Sequence, residues 1–327
     1  MDKIGPSIKN QPVIAFAFIA KFNSYNHPPR NPPFIIVFII CSFVIAGASG
    51  IWVYYQFTQP GSLKVDTVII IPKGRGIDFI SRLLSRKGII AQPTVFKIGV
   101  LALGLDKVIQ AGEYSIPKAS SPINTLKILR SGKTVVRRFL APEGLYTSEI
   151  LHRLRETDGL IDTVKEVIKE GELLPETYHF SFGDSRNDLV RRMKAAMKKT
   201  SRKLWLLRKP GLPFATLEEA IILASIVEKE TGLTEERPRI SRVFINRLKL
   251  GMRLQSDPTV IYGLTKGQFK FERPLNRKDL KKPDPYNTYL NKGLPPGPIA
   301  NPGRASIEAV MHPIDSEELY FVADGKG

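Results

Sequence analysis

Apolar and polar positions alternate with several distinct periods along this chain. Residues 34–55, FIIVFIICSFVIAGASGIWVYY, form 22 positions without a formal charge. That is about the length of helix that crosses a bilayer. Trp52, Tyr54 and Tyr55 close the run as an interfacial aromatic belt would. Ala46-Gly47-Ala48 also resembles a signal-peptide cleavage site, but the apolar run continues past it, which favours an uncleaved anchor. Lys3, Lys9, Lys21 and Arg30 precede the span and Lys64, Lys73 and Arg75 follow it, a slight bias to an N-terminus inside the cell. The earlier run at 12–20 is too short to cross, and Pro28, Pro29, Pro32 and Pro33 separate it from the anchor as a loop.

Beyond the span one unit recurs three times: a short apolar strand, a proline, a turn and an amphipathic helix. The copies start at Val68, Gly112 and Val135, with Pro72, Pro117 and Pro142 at the strand exits, where proline ends a ladder. Ile77, Ile80, Leu83 and Leu84 recur at helical spacing, as do Ile150, Leu151 and Leu154. A small α+β module follows from this, with no catalytic cluster of its own. Residues 156–215 read as mostly helical. From Thr216 the pattern changes: Thr216-Leu-Glu-Glu219 is a capping box, the next eight positions are almost wholly apolar, and Gly232 is a stop. A helix apolar nearly all round is a buried one. A second amphipathic helix follows in 242–264, turned at Gly251.

Composition sharpens the picture in two ways. The formal charge is +18 and the pI about 9.9, which calls for an anionic partner: nucleic acid, a membrane surface or an acidic polymer. Nine Lys or Arg and no acid occupy 191–209, with Trp205, Met193 and Met197 interleaved. With an anchor and no nucleic-acid motif, these charges read as a solvated helix face, or one meeting lipid heads or an anionic polymer, rather than a nucleic-acid site. Cys41 is the single cysteine, so no intrachain disulfide forms. His27, His152, His179 and His312 show no metal spacing, and no metal or cofactor is expected.

The candidate chemistry lies at the end of the buried helix, where Glu228 and Glu230 meet an apolar surface. Periodicity does not choose between them. Glu230 shares a face with Leu223, Ile226 and Val227, and this bulkier setting favours it as the more desolvated group. Desolvation raises a carboxyl pKa and keeps a proton available for general-acid work. The alternative is that both carboxylates are solvated at a fraying helix end. Gln255, Ser256, Asp257, Thr259 and Tyr262 then gather around Pro258, and Tyr286, Asn287, Thr288 and Tyr289 sit in a Pro- and Gly-rich stretch at 283–303. Aromatic faces stack on sugar rings, and amides bond hydroxyls and acetamides. A helix cap at Ser256-Asp257-Pro258 and a packed turn at 286–289 are the plainer readings.

The order ASIVEKETG, SRVFINRLKLGMRLQSDPTVIYG, YNTYLNKGLPPGPIANPG and MHPIDSEELYFVADGKG, with LPETYHFSF at 174–182, resembles the YceG-like family of endolytic murein transglycosylases. The resemblance implies an α+β protein with one transmembrane helix at 34–55, a cytoplasmic segment at 1–33, a small LysM-like module at 62–140, and a mainly helical lytic-transglycosylase-like catalytic domain with peripheral strands at 141–327. It implies the inner membrane as the location, with the catalytic domain in the periplasm. Peptidoglycan glycan strands are the implied substrate, cut between MurNAc and GlcNAc to leave 1,6-anhydro ends, and peptidoglycan synthases are implied partners; nucleic acid is not. Carried over onto this sequence, the catalytic residue is Glu230. Gln255, Asp257, Tyr262, Tyr286, Asn287 and Tyr289 are candidate sugar contacts, with Glu176 and Tyr178 further out. Family members continue past VADGKG with a glycine–histidine strand and a helix, so a C-terminal truncation at Gly327 is expected. Two rival readings stand beside this one: a hydrolase using Asp257 as second carboxylate, and a non-catalytic glycan-binding scaffold.

Overall fold

The computed structural model describes residues 32–321. The run at 12–20, the basic residues before the span and the VADGK stretch lie outside them. The chain divides into two units, Met1–Tyr55 and Gln56–Gly327. The first helix, α1 (Pro32–Thr58), contains an apolar stretch Phe34–Thr58 of 25 residues, whose most apolar 18-residue window has a mean hydropathy of 2.6, long and apolar enough to cross a membrane. It outlasts the expected span at 55 because Gln56 and Thr58 do not break a helix.

Two antiparallel strands, β1 (Thr67–Ile71) and β2 (Gly112–Ile116), pair Thr67 with Ile116 and Ile71 with Gly112. Between them run α2 (Ile77–Arg86) and α3 (Pro93–Ala102), and α4 (Pro122–Ser131) follows. The α3 helix is absent from the sequence reading; Pro93 at its first turn is the signal that marks its start. Ile69, Ile71, Leu84, Phe96, Val100, Tyr114, Ile116, Leu126 and Leu129 form one buried cluster from these elements. Phe57 joins it, its ring 6.1 Å from that of Phe96. Gly99 makes room, since a Cβ there would come 2.6 Å from the Phe57 ring.

The third strand–proline–helix unit departs from the first two. Its strand β3 (Arg137–Leu140) pairs antiparallel with β5 (Thr177–Phe180), not with β1 or β2. The helix α5 (Thr147–Glu156) and the short parallel pair β4 (Leu160–Ile161) and β6 (Asp184–Ser185) surround it. Within 156–215 only α6 (Arg186–Leu206) is an α-helix, so the expectation of mostly helical structure there fails. The alternation Tyr178 in, His179 out, Phe180 in has a period of two and belongs to a strand. A second cluster forms from Phe139, Ile150, Leu154, Tyr178, Phe180, Leu189, Val190 and Met193. Arg137 ties it to β2 through two bonds to Glu113, 2.7 and 2.9 Å.

The third cluster centres on α7 (Leu217–Glu230), against which α6, α8 (Arg237–Lys249), α9 (Asp257–Thr265) and α11 (Arg304–Met311) pack. The short α10 (Arg277–Leu280) leads into the loop at 283–303. Leu223, Ala224, Ile226 and Val227 have no exposed surface, as an all-apolar helix requires. Thr216 and Glu219 cap α7 reciprocally, Glu219 N–H to Thr216 Oγ1 at 3.2 Å. The second amphipathic helix starts at Arg237, five residues before its expected start, because Pro238 suits a helix's first turn. The fold is thus mixed helix and sheet, with one apolar helix at its N-terminal end.

Candidate active site

The two glutamates at the end of α7 meet opposite fates, because residues two apart on a helix face different ways. The Glu228 side chain is only 3% exposed. Its Oε1 accepts Arg237 Nη2 at 3.0 Å and its Oε2 accepts the Gly303 N–H at 2.8 Å. Arg237 also reaches Glu143 at 3.0 Å. Burial pushes the Glu228 carboxyl up; the Gly303 amide and Arg237 pull it back. Glu228 is therefore an internal tie that joins α7, α8 and the start of α11. Glu230 keeps more accessible surface than Glu228, while the desolvation expected of its apolar setting is the largest influence on its carboxyl.

Glu230 is the last residue of α7. Burial in its apolar setting raises its carboxyl above 4.5, and the nearby Asp257 charge adds to that. The Ser256 hydroxyl, which donates to Oε1, and the Arg247 guanidinium oppose the rise. A carboxylate at the negative end of a helix is disfavoured in the same direction as burial. The group is thus reachable, holds its proton to higher pH than a solvated glutamate, and keeps a hydrogen bond to its ionised form.

Ser256 is held by a lattice of hydroxyls. Its N–H donates to Thr288 Oγ1 at 3.0 Å, Thr288 and Thr259 share a hydroxyl contact of 2.8 Å, and Thr259 Oγ1 donates back to Ser256 O at 2.6 Å. Ser256 is the N-cap of α9, yet its side chain makes no capping bond; it is spent on Glu230. Gln255, before it, adopts a left-handed φ of 52°, and its N–H donates to Thr288 O at 3.2 Å. The start of α9 and the 286–289 turn therefore lock together across Glu230. Asp257 accepts the Tyr289 hydroxyl at 2.6 Å, and burial together with that bond raises the Tyr289 phenol. Arg247 is buried, with Nη1 on Leu254 O at 2.6 Å and Nε on Leu319 O at 2.8 Å.

The structure thus gathers Glu230, Ser256, Asp257 and Tyr289, with exposed Gln255 alongside on the chain. It treats the other candidates differently. Asn287 is 1% exposed; its Nδ2 donates to Leu280 O and Lys282 O at 3.0 and 2.9 Å and its Oδ1 accepts the Tyr289 N–H. It braces the loop and leaves no amide free for a sugar. Tyr178 packs in the second cluster and its hydroxyl donates to Leu174 O at 2.8 Å, while Glu176 is exposed beside β5. Tyr262 and Tyr286, 4.8 Å apart by ring centres, line a cleft of about 1080 Å³ with Glu170. Sequence reasoning missed Ser256 as a contact of Glu230, and Thr288 and Thr259 as its supports. The cluster around Pro258 was the available signal, but a helix cap explained it equally well.

The YceG-like family profile matches residues 69–327. A Bacillus subtilis protein named "Endolytic murein transglycosylase" is 30% identical over 307 residues, covering 81% of this chain and 80% of that protein. A Streptococcus pneumoniae protein of the same name is 27% identical over 341 residues, covering 89% of this chain; the chain spans 61% of that relative's length. The crystal structure of a yceG-like protein from Listeria monocytogenes, 31% identical, covers 80% of this chain and 94% of its own with a TM-score of 0.49.

Proposed function

Because the chain belongs to the YceG-like family, we propose that it is an endolytic murein transglycosylase, a lyase acting on peptidoglycan. It cuts glycan strands internally between MurNAc and GlcNAc without consuming water. Glu230 in its protonated form donates to the glycosidic oxygen as the bond to C1 breaks. The resulting carboxylate takes the proton of the MurNAc C6 hydroxyl, whose oxygen closes on C1 to form the 1,6-anhydro end. One carboxyl group serves both steps, so no second carboxylate is required. The observation that carries this reading is the setting of Glu230: partly exposed, raised by burial, and bonded on one oxygen by Ser256. The raised value suits the acid step, and the Ser256 bond supports the ionised form that the second step requires.

Asp257 and Tyr289 then form the flank against which a sugar lies, with Gln255 free to reach its hydroxyls or acetamide. Residues 62–140 act as a LysM-like binding module, and 141–327 as the catalytic domain of lytic-transglycosylase type. The apolar helix anchors the protein once in the inner membrane, with the N-terminus in the cytoplasm and the catalytic domain in the periplasm. Newly made strands are the natural substrate for such an arrangement, their cleavage terminates elongation, and peptidoglycan synthases are fitting partners.

The test is strand length. Purified full-length chain in detergent is incubated with uncrosslinked glycan strands and the products are sized. The wild type shortens the strands by internal cuts, and Glu230→Gln with an unchanged circular-dichroism spectrum does not. Equal shortening by Glu230→Gln would remove the residue from the reaction.

A further inference from the structure

One cleft, of about 1080 Å³, does not have Glu230 in its lining. It lies between α5, α6, α7 and α9. Its floor holds Glu170, whose Oε2 accepts the Thr147 N–H and hydroxyl at 3.0 Å each, and Asn301 Nδ2 at 3.3 Å. Oε1 carries one contact, the Thr147 N–H at 3.1 Å, and so keeps acceptor capacity. The Tyr262 and Tyr286 hydroxyls, on the same cleft, have no hydrogen-bond partner among the described residues. The rim carries Lys169, Lys198 and Arg202, exposed and without an ion-pair partner among the described residues, against one free acid, Glu218.

We propose that this cleft binds the peptide stems of the murein substrate, with peptide carboxylates set against Lys169, Lys198 and Arg202 and an amine or amide N–H on Glu170. The inference rests on the transglycosylase reading and adds a substrate determinant to it. In stem-bearing strands the sugars alone give the rim no work, because the N-acetylated hexosamine rings are neutral and each lactyl carboxyl is tied up in the amide bond to its stem. A peptide with free carboxylates and a diamino residue matches both the cationic rim and the single recessed carboxylate. Two tyrosine hydroxyls add donors for backbone carbonyls, and their rings supply an apolar floor.

The spacing fits as well. Ile222 lines the cleft and Glu230 ends the same helix eight residues later, about 12 Å at 1.5 Å per residue. An extended peptide of four residues covers roughly 13–14 Å. By length, a stem leaving a sugar at Glu230 therefore spans the axial distance to the cleft. The arrangement also gives part of the basic run on α6 a partner, which the reaction at Glu230 does not.

The experiment is calorimetric titration of the full-length chain in detergent. The probes are a synthetic tetrapeptide bearing a side-chain carboxylate, a free C-terminus and one diamino residue, the same peptide with its free amine acetylated, and a peptide-free GlcNAc oligomer. The tetrapeptide binds wild type and Glu230→Gln alike, and Lys198→Ala/Arg202→Ala binds it about tenfold more weakly. Glu170→Gln loses the preference for the free amine over the acetylated one. A wild type that cleaves strands but ignores the peptide overturns the cleft assignment and leaves the reaction standing. Undiminished binding to Lys198→Ala/Arg202→Ala, or displacement of the peptide by the neutral oligomer, overturns it too. Peptide binding to the cleft by a chain that cleaves nothing would uphold the site and refute the reaction.

Discussion

The Ser256 hydroxyl donates its hydrogen bond to Oε1 of Glu230, joining the first residue before one helix to the last residue of another. The bond lowers the carboxyl against the upward push of burial. In Ser256→Ala the Glu230 value therefore rises further, and the protonated form persists to higher pH. The high-pH limb of the kcat/KM profile moves up, while kcat falls about tenfold for loss of one charge-assisted bond. An unmoved limb would show that the bond has no part in tuning Glu230.

Glu228 and Arg237 make a different kind of pair, 3% and 4% exposed in their side chains. Arg237 already has buried Nε and Nη1 atoms without hydrogen-bond partners among the described residues. Glu228→Ala strips its closest buried counter-charge and is expected to cost about 3–5 kcal/mol in denaturant unfolding, as broken buried pairs do. A cost below about 1 kcal/mol, the level of surface pairs, would contradict the internal-tie assignment.

Glu230 also gives stability a pH dependence. The Glu230 carboxyl is raised on folding above 4.5. Between the unfolded and folded values the folded state holds more protons, so its contribution to stability falls as pH rises through that window. Glu230→Gln removes this loss. The variant's melting temperature relative to wild type is expected to be level below about pH 4.5 and to climb above it. A difference that shrinks with rising pH would reverse the sign of the shift.

Asn287 supports the site from behind. Its amide satisfies Leu280 O, Lys282 O and the Tyr289 N–H. Asn287→Ala leaves these groups unpaired, at about 1–3 kcal/mol, and lets Tyr289 drift from Asp257. Stability and kcat fall together. A variant of full stability with reduced sugar affinity would instead restore Asn287 as a contact residue.

Local chemistry made much of this fold legible. The capping box at Thr216 and Glu219, the strand-ending prolines and the charge-free run at 34–55 each act within one turn or one strand, and the corresponding elements form. What failed was long-range. The third strand unit looks like the other two, but its partner, Thr177–Phe180, lies forty residues on, inside a stretch that reads as mostly helical. The partners of Glu228 were hidden for the same reason. Counting apolar neighbours on one helix cannot see Arg237 and Gly303, which arrive from elsewhere and bond the two oxygens of Glu228. Ser256 was visible as part of a polar cluster, but only the fold aims it at Glu230.

Whether water enters the product tests the central claim most directly. Uncrosslinked strands are cleaved by the full-length chain in oxygen-18 water and the new ends are examined by mass spectrometry. Intramolecular closure by the C6 hydroxyl predicts 1,6-anhydro ends with no solvent oxygen, formed by wild type and absent with Glu230→Gln. Reducing ends carrying oxygen-18 would make the protein a hydrolase and contradict the single-carboxylate mechanism.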